Sequence, residues 1–273
     1  MRGRVSGTPM PRQGRGRRLL YSPAWFARAV VRTGVVRGGQ RLDSGAVEGN
    51  GALRRLFDIL LASVALLLFS PLILAASLAV LAGNPGPVFY RAPRVGLRGK
   101  VFTMVKLRTM YVRGGDGGSV ITAAEDVRVF PVGRWLRRMR LDELPQLLNI
   151  IRGDMSFFGP RARDPKVVER YTDLHRETLN VLPGLTSPGT LYYLSHAEQT
   201  LVTDDPEREY HDRILPVKLA LDIEYVRSRT FLTDIGVVLR AFGTVLGIRR
   251  SGFDPADVDK VRPFIEPMRN ASA

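Results

Sequence analysis

A mixed α/β, mostly helical fold is predicted: a compact domain with a small β element, an N-terminal membrane helix, and amphipathic surface helices. Three observations lead to it. One long apolar run, Leu56 to Pro87, follows an Arg-, Gly- and Pro-rich stretch; two short β-type segments come directly after it; and the remainder repeats apolar residues at helical spacing. The chain has 273 residues, with 41 Lys and Arg against 26 Asp and Glu and a net charge of +15. That charge requires an anionic partner: nucleic acid, anionic lipid headgroups or phosphorylated small molecules. Cysteine is absent, which excludes disulfides and thiolate metal sites.

Residues 1–52 are too poor in apolar groups to offset their ordering entropy and read as a disordered basic tail, with Leu19 to Val31 a short amphipathic interruption. The apolar run comes too late for a signal peptide, and no small-residue cleavage pattern follows it. Residues 53–82 read as a membrane helix, because about two dozen uncharged residues follow Asp58, above the ~20 that cross a bilayer core. Ser70-Pro71 falls near its middle, where proline removes an amide donor and clashes with the preceding turn. Arginines lie on both sides, Arg54 and Arg55 before and Arg91, Arg94 and Arg98 after, and basic flanks prefer the cytoplasmic side. A re-entrant helix broken at Ser70-Pro71, entering and leaving by one face, satisfies both flanks. Asp58 then sits at headgroup level, within helical reach of Arg54 or Arg55.

Residues 83–250 read as the main domain. PVFYRAPRVG and KVFTMVKLRTMYV are two strands joined by a Gly-containing turn, RGGDGGS is a flexible loop, and VFPVGRWLRRMR is a short basic helix. LDELPQLLNIIRGD is a helix with Asp142 at its N-terminus, Pro145 in the first turn and Gly153 ending it. DPKVVERYTDLHRETLNVL is a surface helix, and YHDRILPVKLALDIEYVRSR is a helix interrupted at Pro216. FLTDIGVVLRAFGTVLG is amphipathic, with Asp234 and Arg240 on the face away from its apolar residues. It suits a membrane surface or a homodimer face. Residues 251–273 are a C-terminal tail. His175, His196 and His211 lack metal-ligand spacing. Trp25 and Trp135 suit interfacial anchors, Trp135 equally a packed core.

The chemistry concentrates in MRLDELPQLLNIIRGDMSFFGPRARDP, Met139 to Pro165. Asp142 and Glu143 adjoin a helix start, where free amides and the macrodipole favour anions. On that account Asp142 is an N-cap and Glu143 a first-turn acid. Their surroundings open a second account. Arg137, Arg138 and Arg140 precede the pair, Arg161 and Arg163 follow it, and Lys106 and Arg108 come from KLRTM. This is more cation than two carboxylates need. It suits a phosphate ester with a divalent ion, guanidinium on phosphate oxygens and carboxylate on the metal; Mg²⁺ requires no more than one or two carboxylates. A carboxylate can also attack phosphorus and form an aspartyl-phosphate. Asp154 reads as a cap, and Gly159-Pro160 as a tight turn that aims Arg161 backward.

The combination of RRLFDILLASVALLLFSP, VFYRAPRVGLRGKVFTMVKLRTM and LRRMRLDELPQLLNIIRGDMSFFGPR closely resembles the bacterial sugar transferase family, the monotopic phosphoglycosyl transferases, from about Leu53 to Gly247. The resemblance implies an enzyme at the cytoplasmic face of the bacterial inner membrane. It would move a sugar-1-phosphate from a UDP-sugar to polyprenol phosphate, releasing UMP and starting a surface glycan. It further implies Asp142 as nucleophile, Glu143 as a Mg²⁺ ligand, and Lys106, Arg108, Arg137 and Arg161 as phosphate contacts. Ser70-Pro71 matches the family's helix-breaking pair, and Asp222 an acidic position near the site floor. The chain resembles the compact form of the family. It departs where LPGLTSPGTLYYL replaces a P-G-[IL]-T-G-x-x-Q signature, so donor contacts from that loop do not carry over. Two other readings compete. One is a membrane adaptor with a basic surface; no RNP-like or helix-turn-helix signal makes nucleic acid a partner. The other is a family member with altered donor or acceptor. The sugar, polyprenol length, glycan pathway and oligomeric state stay open.

Overall fold

Between Asp58 and Arg91 the sequence carries no charged residue, and this stretch forms most of the longest element. In the computed structural model of the chain, which describes residues 45–112, 126–197, 206–245 and 255–270, helix α1 runs from Gly45 to Gly83 with Pro71 inside it. The basic tail read over residues 1–52, Trp25 included, thus lies outside the described residues as far as residue 44, and the rest of it belongs to α1. The RGGDGGS loop lies outside them as well. The helical path continues through Ser70-Pro71 instead of stopping there. Pro71 deprives the Leu67 carbonyl of its usual amide partner, and the Ser70 hydroxyl bonds that carbonyl at 2.8 Å.

Residues 67–72 of α1 are all exposed. On one side of them Asp58 and Ala62 are buried, on the other Ala76 and Val80. Ala62 packs with Met104, Leu147, Ile150 and Phe158; Ala76 and Val80 pack with Leu107, Phe130 and Leu136. Both limbs of α1 therefore rest on the same domain. The polar groups of the first limb find distant partners. Asp58 does not pair with Arg54 or Arg55 as the helical spacing suggested. It accepts from Ser156 Oγ and the Phe157 amide, both at 3.0 Å. Arg55 instead donates to the Ile150 and Ile151 carbonyls at 2.5 and 2.6 Å, and Arg54 binds Asp234 at 2.6 Å.

Strands β1 (Phe89–Val95) and β2 (Val101–Leu107) pair antiparallel, with Tyr90 opposite Lys106 and Ala92 opposite Met104. Ala92 and Met104 enter the core, which fixes the side-chain alternation along both strands. Helix α2 (Pro131–Arg138) starts on a proline, where a missing amide costs nothing. A 3₁₀ turn, Leu141–Gln146, leads into α3 (Leu147–Arg152), which ends at Gly153 with φ 91°. Asp142 lies inside that turn and is not an N-cap; the capping position is Arg140, and no side chain caps there. Strand β3 (Ser156–Phe158) pairs parallel with β4 (Gly184–Thr186). Between them Gly159 has φ 145°, and a Cβ there would stand 2.4 Å from the Leu182 carbonyl oxygen. Only glycine lets the chain turn toward Arg161 so close to β4.

The segment read as one surface helix after Asp164 divides into short helices, Pro165–Val168 and Asp173–Arg176, because Thr172 takes a capping geometry with His175. Helix α4 (Pro188–Tyr192) follows, then α5 (Leu215–Ser228), with Pro216 in its first turn instead of breaking it. Helix α6 (Phe231–Val245) exposes Leu232, Leu239 and Phe242. Its Asp234, expected on a polar outer face, is fully buried between Arg54, Arg229 and Tyr225. The expected C-terminal tail contains helix α7 (Pro255–Asn270), whose Val261 and Ile265 pack with the apolar residues of α5.

Candidate active site

The dyad turn and β2 are joined by one side chain. Asn149 of α3, fully buried, accepts from the Val105 amide at 3.0 Å and donates to the Thr103 carbonyl at 2.8 Å. It also donates to Asp154 at 3.2 Å, so Asp154 supports this contact and takes no part in the cluster. Lys106, next along β2, is thereby brought into the electrostatic field of Asp142 and Glu143.

The two acids have different surroundings. Asp142 is 5% exposed, and among the described residues none donates a hydrogen bond to its carboxylate. Burial, helped by the charge of Glu143, pushes its carboxyl up to about 6, against the pull of Lys106, Arg137 and Arg140. Glu143 accepts from Arg161 through both oxygens, at 3.1 and 2.5 Å, and from Arg140 at 3.2 Å. Burial disfavours its charge, but Arg161 and Arg140 outweigh that and draw its carboxyl down to about 2. At neutral pH both are carboxylates, one clamped and one bare.

The cations differ as well. Burial lowers the Lys106 ammonium to about 8, with Asp142 raising it and Arg137 lowering it further. Its Nζ lies 5.4 Å from the centre of the Tyr90 ring. Arg137 donates to Thr109 Oγ1 at 2.8 Å and faces Asp142. Lys106, Arg137, Asp142, Glu143 and Arg161 thus lie within electrostatic reach of one another. Arg108 is placed elsewhere. It is buried, with its guanidinium spent on the Pro87 carbonyl at 2.6 Å and on Asn84, tying β2 to the end of α1. Ser70 and Pro71 lie in the exposed stretch of α1, outside the cluster. Arg163 turns to Tyr210 and Asp222.

Asp222 is buried and accepts the Gly189 amide at 3.0 Å, with Lys218 beside it. The altered LTSPGT loop builds this contact. Ser187 Oγ caps α4 by accepting from the Thr190 amide at 3.1 Å, and Gly189 leaves room for the Asp222 carboxylate, 2.6 Å from where a Cβ would stand. A cleft lined by Val95, Gly96, Arg161, Arg163, Tyr171 and Asp222, among others, shares Arg161 with the cluster and includes neither acid of the dyad.

Among the described residues no three His, Asp or Glu side chains gather to hold a metal. The adjacent carboxylates of Asp142 and Glu143 fit a Mg²⁺ ion that takes one or two carboxylates and completes its shell with water and phosphate oxygens. Two residues escaped the sequence reading. Asn149 had a signal, a polar residue inside the apolar run LLNIIR. Tyr90 had none beyond strand pairing with Lys106.

Comparison with known proteins follows the same segments. The family model described as bacterial sugar transferase matches residues 49–247. The UDP-glucose:undecaprenyl-phosphate glucose-1-phosphate transferase of Caulobacter vibrioides is 36% identical over 71% of this chain and 69% of its own. The exopolysaccharide production protein ExoY of Rhizobium meliloti is 35% identical over 74% of this chain and 90% of its own. The UDP-N-acetylgalactosamine-undecaprenyl-phosphate N-acetylgalactosaminephosphotransferase of Aeromonas hydrophila is 30% identical over 71% of this chain but only 44% of its own length.

Proposed function

We propose, on the premise that this chain belongs to the bacterial sugar transferase family, that it transfers a sugar-1-phosphate from a UDP-sugar to undecaprenyl phosphate in a bacterial inner membrane and so initiates synthesis of an exopolysaccharide or related surface glycan. The observation that carries this reading is the contrast within the dyad. Among the described residues Asp142 is a buried carboxylate without a hydrogen-bond donor, while its neighbour Glu143 has two arginines. An ionised oxygen unencumbered by donors is a better nucleophile than one already bonded.

In the first step an Asp142 oxygen attacks the phosphorus that bears the sugar. The bond from that phosphorus to the bridging oxygen breaks, and UMP leaves with the electron pair. In the second step a phosphate oxygen of the acceptor attacks the same phosphorus, the Asp142–phosphorus bond breaks, and the carboxylate is regenerated with the lipid diphosphate sugar. Lys106, Arg137 and Arg161 neutralise charge on the phosphoryl oxygens through both steps. Glu143 would hold the Mg²⁺ ion, which would supply further charge neutralisation for the phosphates. At pH 7 Asp142 is mostly ionised and Lys106 mostly protonated, as both roles need.

The membrane reading is monotopic. Helix α1 would be about 58 Å long if straight, close to twice the ~30 Å bilayer core. Yet each limb has buried residues, Asp58 and Ala62 on one and Ala76 and Val80 on the other, all against one domain, with a wholly exposed stretch around Ser70-Pro71 between them. Exposed large apolar residues run along both limbs from Leu53 to Leu81 and onto elements that touch the helix. Tyr111 packs on Phe130, which with Val132 meets the helix at Gly83. Leu232, Leu239 and Phe242 lie on α6, which Arg54 and Phe57 join to the other end. This distribution supports a re-entrant α1 bent at Ser70-Pro71, with α6 facing lipid and not a second protomer; the flanking arginines favour the cytoplasmic side.

Relatives are named for glucose and for N-acetylgalactosamine, so the sugar is a matter for experiment. Purified protein in lipid vesicles with undecaprenyl phosphate and Mg²⁺ should release UMP from one member of a UDP-sugar panel and form a lipid product, and Asp142→Asn should do neither. Normal turnover by Asp142→Asn, or an inert wild type across the panel, contradicts the proposal.

A further inference from the structure

The structure assigns to Arg140 the role of a positioning residue for the dyad, kept in an unfavourable backbone conformation so that its guanidinium remains on Glu143 beside Asp142. The assignment rests on the reading of Asp142 as the group that takes up the sugar phosphate. Arg140 has φ 59° and ψ 15°. Among the described residues the only other non-glycine with positive φ is Arg98, in an exposed turn. Left-handed backbone is strained for a residue with a Cβ and free for glycine, and glycine does occupy such positions at Gly153 and Gly159. Backbone bonds hold the strained residue on both sides: its amide donates to Arg137 at 3.0 Å, and its carbonyl accepts from Glu143 at 3.3 Å. A position that glycine would fill with less strain carries instead a long cation that reaches back to Glu143 at 3.2 Å.

The surrounding charges define what its loss would do. Asp142 faces Lys106 from β2, Arg137 from α2, Arg161 from the segment after β3, and Glu143 and Arg140 from its own turn. Glu143 faces Arg161, Arg140 and Lys106. Arg140 also reaches Lys218 of α5 electrostatically. Without Arg140, Arg161 alone holds Glu143, and the dyad loses one of the cations that face it alongside Lys106, Arg137 and Arg161. Arg138, two residues earlier and exposed, has no such contact among the described residues and serves as a control.

The test compares Arg140→Gly, Arg140→Lys and Arg138→Ala in the full-length protein in nanodiscs. Arg140→Gly should unfold within about 4 °C of wild type, because relief of the strained backbone offsets the lost contact to Glu143, while kcat falls at least about tenfold with little change in donor KM. Arg140→Lys, which restores the cation, should recover most of the rate, and Arg138→Ala should behave as wild type. Three results overturn the assignment: a larger fall in unfolding temperature with the loss of rate, no recovery in Arg140→Lys, or an unchanged kcat. Inactivity of the wild type itself would overturn the transferase reading and this assignment with it, whereas an active wild type with an unaffected Arg140→Gly overturns the assignment alone.

Discussion

Neutralising the two acids of the dyad should change stability in opposite directions. Native Asp142 releases its proton at about 6 instead of 3.8. At about 1.36 kcal/mol for each tenfold change in acidity, that displacement is about 3 kcal/mol against folding. Below pH 3.8 the group is protonated in both states and the cost is absent. It grows as pH rises from there to about 6, because the unfolded chain gives up the proton before the native one, and it is complete above that. Asp142→Asn should therefore be more stable than wild type at pH 7.5, with the gain fading as pH falls below 6. Glu143 is displaced the other way, from 4.5 to about 2, so its carboxylate stabilises the native state by about 3 kcal/mol above pH 4.5 and loses that as pH falls toward 2. Glu143→Gln should be correspondingly less stable at pH 7.5. For a chain of this size the two shifts are roughly 6–12 °C each, upward for Asp142→Asn and downward for Glu143→Gln. Thermal unfolding in nanodiscs with EDTA, from pH 4 to 8, measures both. Equal destabilisation by the two variants, or a gain for Asp142→Asn that does not vary with pH, would refute the electrostatic account of the site.

Four further outcomes follow from the same geometry. The pH profile of kcat/KM should rise through about 6 as Asp142 ionises and fall through about 8 as Lys106 loses its proton; a Lys106→Arg variant that keeps the falling limb would contradict the second assignment. Asn149→Ala leaves the Thr103 carbonyl and Val105 amide without their partner and should cost about 2–4 kcal/mol in denaturant unfolding, together with a higher donor KM as β2 and Lys106 loosen. Arg108→Ala should lower stability by about 1.5–3 kcal/mol and leave the donor KM of the folded protein unchanged. Arg137→Ala should raise KM with little effect on unfolding, and the reverse pattern would restore Arg108 to the phosphate site.

The hairpin and the dyad were legible because their determinants are local. Alternation along FYRAPRV and VFTMVKL sets two strands, and Asp142-Glu143 stands out against the basic residues around it. What escaped depends on partners far along the chain. Asp58 binds a strand 98 residues away, and Asp234 is matched by Arg54 across 180, so the three- and four-residue spacings to Arg54 and Arg55 pointed to the wrong pairing. Asp234 lies on an amphipathic helix whose polar side would ordinarily face water; three groups from α1, α5 and the turn before α6 bury it instead. The KLRTM motif grouped Lys106 with Arg108, since positions two apart in a strand share a face, but β2 ends at Leu107 and Arg108 lies beyond it, free to turn to Asn84 and Pro87. Lys106 meets the dyad, and Arg108 goes to the end of α1.

The central claim is that Asp142 carries the sugar phosphate as a covalent ester between donor and lipid. Rapid quenching of wild-type enzyme with its UDP-sugar before acceptor is added, followed by mass spectrometry of the Met139–Arg152 region, measures it most directly. The account predicts a mass increase of one sugar phosphate on Asp142 that disappears when undecaprenyl phosphate is supplied. Lipid product formed at the normal rate with no adduct, or an adduct on another residue, would contradict it.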